Sequence, residues 1–128
     1  MKRILRNVGE AITDERGTIK NILDPDIRIR SVLVITSKAG SIRANHYHKK
    51  DTHYVYLLSG KMEYTEKDMN SGKSRKKSCI IHPGDLVLSP PMIAHAMHFL
   101  EDTVFLAFTT ERREHSSYEK DTVRIQLI

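Results

Sequence analysis

The chain has 128 residues, a formal charge of +5 and one cysteine, a length that suits one domain and excludes two full cores. At 39% hydrophobic and 29% charged, with four prolines and six glycines, it is neither disordered nor collagen-like, and the lone Cys79 excludes an intramolecular disulfide. The basic start MKRILRNVGEAI lacks the apolar centre of a signal peptide, and no apolar run nears the roughly 20 residues of a membrane span, so a cytoplasmic chain without membrane contact is expected.

Turn signals recur at short intervals: DERG at 14–17, LDPD at 23–26, KAGS at 38–41, LSG at 58–60, NSG at 70–72, HPGD at 82–85 and SPP at 89–91. The segments between them are short and rich in Val, Ile, Leu, Tyr and Phe, the pattern of an all-β sandwich or barrel. Strands are predicted over 4–8, 18–23, 30–37, 42–48, 53–59, 61–67, 78–82, 86–89, 94–100, 104–110 and 122–127. The polar stretch ERREHSSYEKD, 111–121, reads as a surface connection, either a loop or a helical turn capped by Ser116 or Ser117. The basic run GKSRKKS, 72–78, reads as a solvated loop tip, because no aromatic residues interleave with its lysines to stack bases, and no nucleic-acid partner is expected.

Side chains two apart on a strand share a face. His46 and His48 therefore project together, His53 opens the next strand on the face of Val55 and Leu57, and His95 shares a face with Ile93, Met97 and Phe99, whereas His98 has the opposite parity. An isolated pair of alternating histidines is weak evidence of a metal site. Tyr54 and Tyr56 are expected on an outer face, where aromatics could pack a homodimer interface.

Spacing adds more. From Gly40 there follow five residues, His46, one residue, His48, four residues, His53, six residues and Gly60; later come Gly84, five residues, Pro90, and His95 five positions on. This pattern resembles the two sequence motifs of the cupin superfamily over about residues 30–110, with His53 where that family most often has glutamate and Met92 where it usually has glycine. The resemblance implies a single-domain antiparallel β-barrel of the jelly-roll type spanning residues 1–128, its terminal strands completing the barrel or swapping between copies. It also implies one divalent ion on His46, His48, His53 and His95. Four imidazoles suit Fe, Mn, Ni, Cu or Zn, and affinity for the ion is expected to fall as pH drops below about 6, since each imidazole must be neutral to coordinate.

RANHYHK, 43–49, is similar to the motifs of nucleotide-sugar cupins, the ketoisomerases with RGxHAHK and the 3,5-epimerases with RGLHYQ, and DERG is similar to an element near the start of the epimerases. That likeness implies an isomerase or epimerase of an activated sugar in surface-polysaccharide biosynthesis, with His46 as base, His48 beside it and Arg43 near the substrate's charge. A metal-bound histidine cannot also serve as a free base, so with His53 a further ligand, Tyr64 or His98 is the candidate proton carrier. Two other readings stay open, a metal-dependent dioxygenase and a sugar-binding module without turnover.

Overall fold

A computed structural model describes residues 1–128. Its strands run in chain order β1 (Ile4–Leu5), β2 (Ala11–Asp14), β3 (Gly17–Lys20), β4 (Ser31–Ser37), β5 (Ile42–His48), β6 (His53–Ser59), β7 (Met62–Asp68), β8 (Lys77–Ile81), β9 (Leu86–Ser89), β10 (Ile93–Phe99), β11 (Thr103–Thr109) and β12 (Thr122–Arg124), with one helix, α1 (His115–Asp121), before the last. Two five-stranded antiparallel sheets, ordered β1-β9-β6-β11-β4 and β12-β5-β10-β7-β8, face each other as a jelly roll, and β2-β3 is a separate hairpin. No helix is long and apolar enough to cross a membrane.

The fold follows from alternation. On β6 the buried residues are His53, Val55 and Leu57, and on β11 they are Thr103, Phe105, Ala107 and Thr109, so one parity of each strand fills the interior. The apolar floor lies at one end, where Leu57, Met62, Ile81, Phe99 and Phe105 are at most 1% exposed and the Phe99 and Phe105 rings stack at 5.8 Å. The histidines lie towards the other end, so the barrel has an oily base and a polar mouth.

Four predicted elements need correction. The strand expected over 4–8 is only Ile4–Leu5, and the one expected over 18–23 is the second arm of a hairpin whose first arm, β2, was missed; β2 is exposed at every position and so carries no inside-outside alternation. The last strand ends at Arg124. The 111–121 connection contains a helix that starts after Glu114 with no side-chain cap, rather than at Ser116 or Ser117.

A β-bulge in β5 changes the parity argument. Ala44 and Asn45 both have left-handed backbone, φ 69° and 55°, and the β10 pairing steps from His95↔His46 to Ala96↔Ala44, leaving Asn45 over. The extra residue puts Arg43 opposite the inward-facing Met97, on the side of His46, although simple alternation would place the two on opposite faces. Asn45 also ties down the C-terminus: its Oδ1 accepts from the amides of Leu127 and Ile128, both at 3.1 Å.

The Gly60 that closes the first motif has a packing reason. It has φ 94°, and a Cβ there would lie 2.4 Å from Thr103 Oγ1 and 2.5 Å from the Asp102 carbonyl oxygen. Gly40 shares the left-handed backbone but opens onto empty space. Gly60→Ala should therefore cost about 2–5 kcal/mol from strain plus overpacking, against about 1–2 kcal/mol for Gly40→Ala; urea unfolding of both variants checks the difference.

Candidate functional site

His46 and His48 reach the mouth from β5, His53 from β6 and His95 from β10, and all four are at most 8% exposed. Their rings form one cluster, with centroids 4.6 Å apart for His46–His48, 4.9 Å for His46–His95 and 4.4 Å for His48–His53. The donor atoms divide into two overlapping groups. One ring nitrogen each from His46, His48 and His95 lie within 4.8 Å of one another, and so do donor atoms of His48, Asp51 and His53.

Hydrogen bonds assign the tautomers. His95 Nδ1 lies 3.0 Å from the Ile93 carbonyl oxygen, which can only accept, so Nδ1 carries the proton and Nε2 the lone pair. Thr122 Oγ1 donates to the Tyr118 carbonyl at 2.7 Å, so at 3.3 Å from His48 Nδ1 it accepts. His48 Nε2 then holds its lone pair, buried and without a partner. His53 is the reverse case: its Nε2 donates to Asp51 Oδ2 at 2.7 Å, leaving Nδ1 with the lone pair.

Asp51 was not singled out in the sequence, yet it is 1% exposed. Its Oδ1 accepts from the amides of Thr110 and Glu111 at 3.0 and 3.1 Å. Burial would raise its pKa, but the bond from His53 and these amides hold it below the usual carboxylate range. Two further contributors escaped the sequence reading because they sit in the polar 111–121 segment. The Tyr118 ring lies 5.6 Å from that of His48 and 6.4 Å from that of His46, and the Arg113 guanidinium stacks 4.0 Å above it.

His46, His53 and His95 line a cavity of about 140 Å³ whose walls also include Arg43, Leu33, Ile35, Arg113 and Tyr118. Arg43 is braced by bonds to Ser37 Oγ at 2.7 Å and the Thr36 carbonyl at 2.9 Å. Neither candidate proton carrier borders this cavity. Tyr64 is fully buried, its hydroxyl bonded to Ser89 Oγ at 2.9 Å, and burial pushes the phenol above its ordinary pKa. His98, cross-strand from Ile42 and Glu63, lies on the outer side of β10, since only alternate residues of that strand face inward.

The sequence profile described as "Cupin domain" matches residues 33–110, more than half of the chain. The chain belongs to the cupin family. No curated protein matches it. Among solved structures, this cupin is similar to the QdtA 3,4-ketoisomerase from Thermoanaerobacterium thermosaccharolyticum, crystallised with TDP (21% identity, TM-score 0.76, 95% of this chain and 88% of that one). It is also similar to a 3,4-ketoisomerase from Helicobacter canadensis (19%, TM-score 0.77, 94% and 88%). A third likeness is to the dTDP-4-dehydrorhamnose 3,5-epimerase from Sulfolobus tokodaii (17%, TM-score 0.75, 91% and 73%). At these identities the likeness shows a shared fold.

Burial is the first cause that lowers His46 to about 2, His48 to about 3 and His95 to about 4, from an ordinary 6.5, and His53 adds to the lowering of each. In the metal-free protein these three stay neutral when folded, whereas in the unfolded chain they take up protons below about pH 6.5. Stability is full above pH 6.5 and falls as pH drops, by up to about 4 kcal/mol per pH unit while all three lag. Urea unfolding between pH 7.5 and 5 should show this slope, and His48→Gln should make it shallower.

Proposed function

We propose that this cupin is a metal-dependent isomerase or epimerase of an activated, nucleotide-linked keto sugar, with His46, His48 and His95 holding one divalent ion and the Asp51–His53 pair moving the proton. One observation carries the reading: three buried histidines turn ring nitrogens towards one another while the fourth commits its Nε2 to a carboxylate. A buried, unpartnered His48 Nε2 beside two more imidazole nitrogens fits a cation, and neutral nitrogen donors favour Fe, Mn, Ni, Cu or Zn. His53, expected as a fourth ligand, commits Nε2 to Asp51, so in this proposal it serves as the base instead. That removes the need for one histidine to be both ligand and base.

When bound, the ion supplies positive charge to a sugar carbonyl oxygen. His53 Nδ1 takes a proton from the carbon beside that carbonyl, and Asp51 stabilises the imidazolium that results. Returning the proton to the opposite face of the same carbon gives epimerisation. Returning it to the former carbonyl carbon, with the hydroxyl proton passing to the former carbonyl oxygen, moves the ketone. Atoms balance in both cases with no net oxidation. Arg43 and Arg113 on the cavity wall offer donors to substrate oxygens.

Protein purified without an affinity tag should contain about one transition-metal ion per chain, retained well below pH 6 because burial keeps the three ligands neutral. In deuterated buffer with a panel of nucleotide-linked keto sugars, NMR should show deuterium entering next to the carbonyl. His53→Asn should slow this by roughly 10²–10⁴ without loss of metal, and His48→Gln should lose the metal. Metal content near zero, or exchange untouched by His53→Asn, refutes the assignment. Turnover that requires O₂ would instead mark a dioxygenase, and tight binding without exchange a sugar-binding module.

The working form is proposed to be a homodimer. On the outer face of the β4 sheet, cross-strand pairs join Val32 to Phe108 and Phe108 to Tyr54, and Val34 to Leu106 and Leu106 to Tyr56. Val32 is 59% and Val34 70% exposed. The separate β2–β3 hairpin likewise exposes the paired Ile12 and Ile19 at 73% and 72%, and a two-stranded hairpin is marginal without cover. The three paired strands β4, β11 and β6 thus present one apolar outer face, the kind of surface a stable interface of roughly 800 Å² per partner covers. These uncharged rows complement a second copy of themselves. Light scattering should give twice the chain mass, and Val34→Glu/Leu106→Glu should give a folded monomer; a monomeric wild type overturns the proposal.

A further inference from the structure

The histidine cavity is smaller than the substrate class proposed for it. At about 140 Å³ it falls below the roughly 300–1,000 Å³ of ordinary ligand pockets, and it suits one sugar ring better than a whole nucleotide-linked sugar. A second cleft of about 520 Å³ lies on the other side of Tyr118, which borders both spaces. The Asp51–His53 hydrogen bond crosses the same divide, since Asp51 lines the outer cleft and His53 the inner cavity.

The outer cleft is cationic. Arg30, Lys49, Lys50, Arg112 and Lys120 line it. Three carboxylates, Asp51, Glu111 and Asp121, line it too, so the five cations outnumber the anions by two, and the oxygens of Asp51 and Asp121 are turned to N–H donors rather than to these cations. Asp51 takes those of His53, Thr110 and Glu111, and Asp121 takes the amides of Lys50 at 2.8 Å and Asp51 at 3.1 Å. Of the five cations only Arg112 forms an ion pair, a 3.4 Å contact with exposed Glu114. Four cations free of ion pairs, together with the Arg112 guanidinium in its long exposed pair, match a multiply charged phosphate group.

We infer that this outer cleft binds the phosphate groups of a phosphorylated ligand whose other end passes Tyr118 into the histidine cavity. The inference rests on the reading of that cavity as a sugar site. Lys50 and Arg112 are the principal anion contacts, and Tyr118, held by Arg113 stacked on its ring, packs against the segment between phosphate and sugar. A second basic cleft, lined by Lys2, Arg3, Lys67, Lys73, Arg75 and Lys77, shares no residue with the histidine cavity and serves as the control for charge alone.

The probe is inorganic pyrophosphate, titrated calorimetrically into the metal-free full chain so that chelation does not intervene. Wild type should bind one equivalent, more weakly as salt rises. Lys50→Glu/Arg112→Glu should weaken binding by roughly tenfold or more, whereas Lys73→Glu/Arg75→Glu should stay within about twofold of wild type; all four positions are exposed or partly exposed, and unchanged thermal melts establish that the variants fold. No binding at millimolar pyrophosphate, or equal loss in both double variants, overturns the inference. Pyrophosphate carries no sugar, so binding confined to the outer cleft without sugar exchange would refute the proposed reaction alone. Sugar exchange with an unchanged KM in Lys50→Glu/Arg112→Glu would refute the cleft alone.

Discussion

The mouth of the barrel is organised by one buried carboxylate. Burying Asp51 costs several kcal/mol before compensation, and the compensation comes from distant parts of the chain: His53 Nε2 on β6, and the amides of Thr110 and Glu111 just past β11. Its own amide donates to Asp121, at the end of α1. A single residue thereby joins the β5–β6 turn, the end of β11 and the α1–β12 junction, and its carboxylate fixes the tautomer of the one histidine left outside the three-histidine group. Truncating it would strand two amides and an imidazole N–H at once, which is costlier than losing any one of these bonds.

The same arrangement shapes the electrostatics. His46, His48 and His95 are kept neutral by burial, so no carboxylate sits among the three converging nitrogens. Negative charge stands one step back: Asp51 behind His53, and Asp121 Oδ2 at 3.6 Å from His48 Nδ1. Carboxylates placed behind imidazoles orient the rings and raise their donor strength. A cation among the three nitrogens would keep most of its charge for an incoming oxygen ligand, which is what polarising a carbonyl requires.

Much of this could be read from the sequence, and the parts that could not share a cause. Period-two alternation sent His46, His48, His53 and His95 inward because it depends only on neighbours along a strand. Arg43 needed the bulge at Ala44–Asn45, a register choice made by pairing with β10. Asp51 looked like an ordinary turn residue because its burial is supplied by residues about 60 positions away. Tyr118 was hidden in a segment with no apolar periodicity, and only the placement of α1 brings it over the rings. Tyr64 went astray the other way: expected as a proton carrier, it is fully buried and its hydroxyl is occupied by Ser89, a partner fixed by β9.

Strain follows the same geography. Apart from Asn7, the non-glycine residues with left-handed backbone are Ala44, Asn45 and Met92, at a cost of about 1–3 kcal/mol each. Ala44 and Asn45 directly precede His46. Met92, where related motifs usually carry glycine, donates its amide to the His48 carbonyl at 2.8 Å and accepts from the Met69 amide at 2.9 Å. These backbone bonds, with the Asn45 clasp on the C-terminus, hold conformations that local preference disfavours. The result sets His46 and His48 at fixed angles towards His95, so the chain gives up stability at the two points that aim its histidines.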